Sequence, residues 1–262
     1  MSTNQRVMNR IDYTLSEKQK ILNIYFTAGY PKMEDTIRIA RSLQEGGADI
    51  LEIGIPFSDP IADGPTIQES SVQALENGMT LARLFEQLSD LRREVSIPVL
   101  LMGYVNPIIQ FGIENFCEEC ERVGVDGIIV PDLPISEYLE EYQTLFQSHG
   151  LHNIFLISPN TGEERIQLID SESSGFIYMV SSSSITGAKK GIDDAQISYF
   201  ERIQKMNLNN PRLIGFGISD HDSFRKACEF SDGAIIGSAF INQLRKDASS
   251  EAIIDFVKSI KQ

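Results

Sequence analysis

Short, continuously apolar runs alternate with amphipathic runs along the whole chain. A helical pattern ends near glycine, an apolar run follows, and a loop rich in Gly, Pro and Ser comes next. The unit recurs in EGGADILEIGIPF, RVGVDGIIVPDLP, SSGFIYMVSSSS and FSDGAIIGSAF. Further strands are predicted at ILNIYFT (21–27), PVLLMGY (98–104), HNIFLI (152–157) and RLIGFG (212–217). Between them, EDTIRIARSLQEGG, TLARLFEQLSDLRREV, ISEYLEEYQTLFQSHG and DAQISYFERIQKM repeat apolar residues at the spacing of helices with one buried face. Strands that are apolar throughout, rather than at alternate positions, are those of a parallel sheet covered on both faces.

Eight such strands, each followed by a helix, in 262 residues predict an α/β fold, a single (β/α)8 barrel. An extra helix is expected ahead of the first strand, and segment 66–78 predicts a short inserted helix after the second. A doubly wound open sheet is the alternative, but no G-x-G-x-x-G follows the first strand. No linker or shift in composition divides the chain, so residues 1–262 read as one domain. In a barrel of this kind the chemistry lies on the loops after each strand. Here these are T-A-G-Y-P, the stretch LEIGIPFSDPIADGPTIQ from Leu51, G-Y-V-N-P, P-D-L-P, S-P-N-T-G, SSSSITGAKKG, G-F-G-I-S and G-S-A-F.

Charge narrows the partners. With 23 basic and 37 acidic residues the net charge is −14, which excludes nucleic acid and anionic membrane surfaces as partners. A phosphate remains possible, because backbone N–H groups hold it locally. The first twenty residues lack the apolar core of a signal peptide, and no later run reaches membrane-span length. With only three cysteines, a reducing cytoplasm is expected. Cys117 and Cys120 fall on the apolar face of a helical stretch with Ile113, Phe116 and Val123, and Cys228 stands alone. Redox cysteines sit at a helix start, so these read as buried thiols. His149, His152 and His221 have no partner at ligand or triad spacing, which leaves them surface or capping roles and predicts no metal.

Three late loops share a property. Thr186 to Ala188, Gly215 to Gly217, and Gly237 with Ser238 are small residues that leave backbone N–H groups uncovered. Gly237 and Ser238 also open the helix SAFINQLRK, whose positive end attracts an anion. A phosphate is therefore expected there, at the loops where this barrel often binds one. The Ser/Gly-rich run SSSSITGAKKGIDD has the composition of a lid, and Lys189 and Lys190 in its middle read as solvated. Glu52 interrupts an apolar strand. Facing the barrel interior, its carboxyl would hold a proton near neutral pH and serve as acid and then base. Asp59 and Asp63 follow in a loop stiffened by Pro56, Pro60 and Pro65, and spacing does not choose between them.

The run LEIGIPFSDPIADGPTIQ, followed by MGYVNP, VPDLP, SSITGAKKG, GFGIS and GSAFI, resembles the tryptophan synthase alpha subunit over nearly the whole chain. The resemblance implies cleavage of indole-3-glycerol phosphate to indole and glyceraldehyde 3-phosphate, a lyase reaction. It implies a beta subunit as partner, in an alpha2beta2 complex, that uses pyridoxal phosphate to join indole with serine, and no cofactor in this chain. Glu52 matches the family's acid/base glutamate and Asp63 its catalytic aspartate. Tyr25, Tyr104, Ile129 and Phe216 match the apolar walls around the indole, Tyr178 a tyrosine beside the substrate, and Thr186 a lid residue. Gly187, Gly217, Gly237 and Ser238 match the phosphate-binding positions, and Asp59, Asn106 and Pro107 positions that face the beta subunit. The chain departs from some members in carrying Ser182, within Ser181 to Ser184, where they carry arginine. Two other functions compete: a non-catalytic regulatory barrel subunit, and another sugar-phosphate aldolase or isomerase with a phosphate-binding barrel.

Overall fold

A computed structural model of the protein describes residues 8–60, 63–181, 192–215 and 217–262. Its strands are β1 (Ile21–Thr27), β2 (Ile50–Gly54), β3 (Val99–Met102), β4 (Gly127–Ile129), β5 in two pieces (His152–Ile154 and Leu156–Ile157), β6 (Ile177–Val180), β7 (Arg212–Gly215) and β8 (Gly233–Ile236). Every pairing is parallel and follows chain order, and β8 returns to β1. Closure falls on β5. Its first piece pairs with β4 and its second with β6, while the Phe155 carbonyl between them accepts the Tyr178 N–H at 2.9 Å. One strand thus serves both neighbours, and the predicted eight-stranded barrel is what forms.

Alternate residues of each strand face opposite sides. Ile21, Ile50, Leu100, Ile129, Ile154, Tyr178, Leu213 and Ile235 fill the barrel. Their neighbours, among them Leu22, Ile24, Phe26, Leu51 and Ile53, pack outward against the helix layer. Residues on both faces are buried, which is why the strands lack polar alternation.

The expected N-terminal helix, α1 (Arg10–Glu17), closes the end of the barrel away from the loops discussed above. Ile11 projects from it into the interior cluster. Asn9 caps α1 by accepting the Ile11 N–H at 2.8 Å, and its amide donates to the carbonyls of Asp126 and Gly150. Arg10 pairs with Asp126 at 2.8 Å, and Asp12 meets His152 at 2.9 Å. These contacts all lie where strands begin.

After α2 (Asp35–Gly46) and β2 comes the inserted helix, α3 (Pro65–Glu76). At 12 residues it equals α2 and falls within about two residues of the predicted segment 66–78. Pro65 occupies its first turn, where a fixed φ costs nothing. It packs against β1 and the helix Ser238–Lys246, which keeps it beside the rim. Two predicted single helices are interrupted. The run from Leu81 tightens at Leu88–Asp90, and Tyr138–Tyr142 widens so that the Gln143 N–H reaches the Tyr138 carbonyl. Among the described residues no helix is long and apolar enough to cross a membrane.

Candidate active site

Glu52 lies mid-strand on β2, in register with Tyr25 of β1 and Leu100 of β3, so all three share the interior face. It is 0% exposed. The Asn23 amide donates to its Oε1, while Oε2 has no hydrogen-bond partner among the described residues. Burial pushes its carboxyl from the ordinary 4.5 up to about 8, partly offset by the Asn23 hydrogen bond. The odd glutamate of the sequence is thus an interior acid that holds its proton at neutral pH.

Asp63 reaches the same chamber from the loop after β2. Its N–H donates to the Pro60 carbonyl at 3.0 Å, a turn that the nearby prolines favour. From α3, Gln68 Nε2 donates to the Asp63 carbonyl at 2.9 Å and anchors the loop. The Tyr104 hydroxyl donates to Oδ2 at 3.3 Å, and the Tyr104 ring stacks at a tilt on Phe57, 5.1 Å between centroids. Asp63 is 8% exposed. Burial raises its carboxyl from 3.8 to about 6, with the Tyr104 hydrogen bond pulling the other way.

Two phenols connect the carboxylates. Burial pushes the hydroxyls of Tyr25 and Tyr178 far up, and the charges of both Asp63 and Glu52 add to each shift. Both carboxyls therefore act on both rings across one chamber. Tyr25 rests its hydroxyl against Gly54, and Tyr178 against Gly215, where any Cβ would collide with the ring oxygen. These two glycines are needed for close approach. Ile129 completes the inner wall and is fully buried.

The residues expected at the phosphate can be located in part. Gly217 has φ +79°, a conformation that favours glycine. Gly237 precedes the helix Ser238–Lys246, with no side chain capping the first turn. A Cβ on Gly237 would lie 3.6 Å from Tyr25 and Ile67, so this helix start borders the chamber wall. Thr186, Gly187 and Phe216 lie outside the described residues, as do Lys189, Lys190 and Ser182 to Ser184. Asp59 and Asn106 are exposed on the rim and Pro107 is half-buried. Asp132 accepts the Val105 N–H at 3.0 Å, capping the helix that carries Asn106 and Pro107.

Sequence reasoning missed Asn23. The signal was present, since asparagine interrupts ILNIYFT much as glutamate interrupts LEIGI. The cysteines lie as expected, but His152 has neither a surface nor a capping role: it is half-buried on β5 and pairs with Asp12 at 2.9 Å. Cys117 and Cys120 sit mid-helix in Ile113–Val123, and burial pushes the Cys117 thiol up to about 12, away from reactivity. His149 meets Glu121 at 2.6 Å, and His221 donates to the Ile260 carbonyl at 2.9 Å. No group of three or more acidic, His or Cys side chains could hold a metal among the described residues.

The family model described as tryptophan synthase alpha chain matches residues 12–260. The chain belongs to the tryptophan synthase alpha chain family. The alpha chain of Flavobacterium psychrophilum is 56% identical over 97% of this chain and 100% of its own length. That of Bacteroides fragilis is 51% identical, covering 97% of each. In three dimensions the alpha chain of Legionella pneumophila superposes with a TM-score of 0.87 at 34% identity, over 97% of both chains. The tryptophan synthase alpha chain barrel is therefore shared from α1 to the last helix.

Proposed function

We propose that Glu52 and Asp63 are the catalytic pair of this tryptophan synthase alpha chain. The protein is a lyase that cleaves indole-3-glycerol phosphate to indole and glyceraldehyde 3-phosphate. It needs no cofactor of its own, and it pairs with a beta subunit that holds pyridoxal phosphate and consumes the indole in tryptophan synthesis. One observation carries the assignment. Two buried carboxyls face one chamber with proton affinities set apart at about 8 and about 6, so near pH 7 one is protonated and the other ionised.

The chemistry needs that asymmetry. Protonated Glu52 gives its proton to indole C3, which turns the ring into an electron-poor iminium. Ionised Asp63, oriented by Tyr104, accepts the indole N–H and stabilises the positive charge as it develops. Glu52, now a carboxylate, removes the proton of the side-chain hydroxyl beside the ring. The bond between C3 and the carbinol carbon breaks, its electrons return to the indole, and the aldehyde leaves. The same glutamate serves as acid and then base. Tyr25, Tyr104, Ile129, Tyr178 and Phe216 would wall the indole. Gly187, Gly217, Gly237 and Ser238 would hold the phosphate, and Thr186 would meet the loop that carries Asp63. Asp59, Asn106 and Pro107 would meet the beta subunit. The 262 residues would act as one barrel domain, and three cysteines without a disulfide favour the cytoplasm.

Indole release from indole-3-glycerol phosphate tests the pair. Glu52→Gln is expected to lose ~10²-fold or more in kcat, the scale of a removed general acid–base group. Asp63→Asn is expected to lose ~10²–10³-fold in kcat with little change in KM, since its contact strengthens only as charge develops. Wild-type rates in either folded variant would remove that residue from the pair.

A further inference from the structure

Glu52 sits in an interior that offers it few partners. Its register neighbours on the same face are Tyr25 and Leu100, and neither donates to it. Its recorded donor is Asn23, two residues before Tyr25 on β1 and in register with Ile50. Asn23 is itself 0% exposed. Its own Oδ1 has no hydrogen-bond partner among the described residues, nor has Glu52 Oε2. A buried, unpartnered amide oxygen costs about 1–3 kcal/mol, so the Asn23–Glu52 pair as a whole is held at a cost to stability. The asparagine lies in register with the apolar interior residues Ile50 and Ile235.

We infer that Asn23 is a positioning residue for the alpha-chain reaction: by donating to Oε1 it fixes the Glu52 carboxyl and leaves Oε2 as the atom that carries the proton to the substrate. This rests on the assignment of Glu52 as the acid and base. A protonated carboxyl has one carbonyl-like oxygen and one hydroxyl. The carbonyl-like oxygen is the better acceptor for an N–H donor, so the amide favours Oε1 in that role and Oε2 as the hydroxyl. Without it the group would be free to rotate about its last bond and to turn its proton away from the ring carbon.

The titratable groups that face Glu52 are Tyr25 from β1, Tyr178 from β6 and Asp63 from the loop after β2, with Tyr104 bonded to Asp63. Both phenols stay neutral across the working range, and Asp63 ionises near 6, below Glu52. The Asn23 donor favours the ionised form of Glu52, so its loss moves the basic limb of the rate profile upward. A residue that merely filled space would leave that limb in place.

The experiment measures indole release against pH by the full chain with its beta subunit, comparing wild type, Asn23→Leu and Glu52→Gln. Asn23→Leu is expected to lose about tenfold in kcat, with KM within about threefold and the basic limb raised by about one pH unit, the scale of one hydrogen bond to a charged group. A folded Asn23→Leu that keeps wild-type kcat, or whose basic limb stays in place, overturns the inference. Should Asn23→Leu not fold, Asn23→Ser, whose hydroxyl is too short to reach Oε1, is held to the same criteria. The two levels separate cleanly. Inactive Glu52→Gln beside an unaltered Asn23 variant overturns the positioning role alone, whereas active Glu52→Gln overturns the catalytic pair and this inference with it.

Discussion

Glu52 is a residue whose usefulness and stability oppose each other. Its carboxyl titrates at 4.5 when free and at about 8 when folded, so the folded state holds the proton more tightly. That term favours folding below about pH 4.5 and is lost as the pH rises through about 8. Glutamine carries no such proton. Glu52→Gln is therefore expected to be more stable than wild type above pH 8, by on the order of a few kcal/mol, and to differ little near pH 4.5. Denaturant unfolding at the two pH values checks this, and equal stabilities at high pH would contradict the burial of an ionisable acid. Glu52 was legible in the sequence because a charge inside an apolar strand needs a reason. Asp63 was not separable from Asp59 by spacing. What distinguishes them is burial and a hydrogen bond to Tyr104, 41 residues away, which local pattern does not carry.

At the level of elements, the alternation of apolar runs and amphipathic helices was enough to anticipate the strands and their order. The details it missed depend on contacts distant in sequence. The division of β5 at Phe155 follows from barrel closure, where one strand must pair with two neighbours whose ladders are offset along it. The placement of α3 beside the rim follows from its packing against β1 and the helix Ser238–Lys246. Helix α1 is the plainest example. Its sequence shows a helix but not that Ile11 enters the barrel, fixed by Arg10 and Asn9 at Asp126. Truncating a fully buried isoleucine leaves a cavity, so Ile11→Ala is expected to lose about 2–5 kcal/mol of stability. Since Ile11 lies at the end of the barrel opposite the rim, kcat should stay within about twofold of wild type. A large fall in kcat with stability intact would mean that α1 reaches the chemistry.

For the whole molecule, contacts that hold the barrel together gather at the strand starts, and the proposed chemistry lies at the opposite rim. Asp126 shows the first. It receives Arg10 at 2.8 Å, Arg92 at 2.5 Å and the Val99 N–H at 2.8 Å, binding α1 to the strand starts. The rim shows the second, with Glu52 and Asp63 inside it and Asp59 exposed beside them. Asp59→Ala is expected to leave indole release by the isolated chain within about twofold of wild type, yet weaken beta-subunit association by up to about tenfold, or ~1.4 kcal/mol. Titration with the beta subunit reads this, and unchanged affinity would remove Asp59 from the interface. The central claim, that two carboxyls of unlike proton affinity divide the chemistry, is tested most directly by the pH dependence of kcat/KM for indole release. That quantity reports the essential groups of the free enzyme. A bell is expected, rising as Asp63 ionises near pH 6 and falling as Glu52 loses its proton near pH 8, with the basic limb absent from the residual activity of Glu52→Gln. A profile that stays level from pH 5 to 9, or a basic limb that survives in Glu52→Gln, would contradict it.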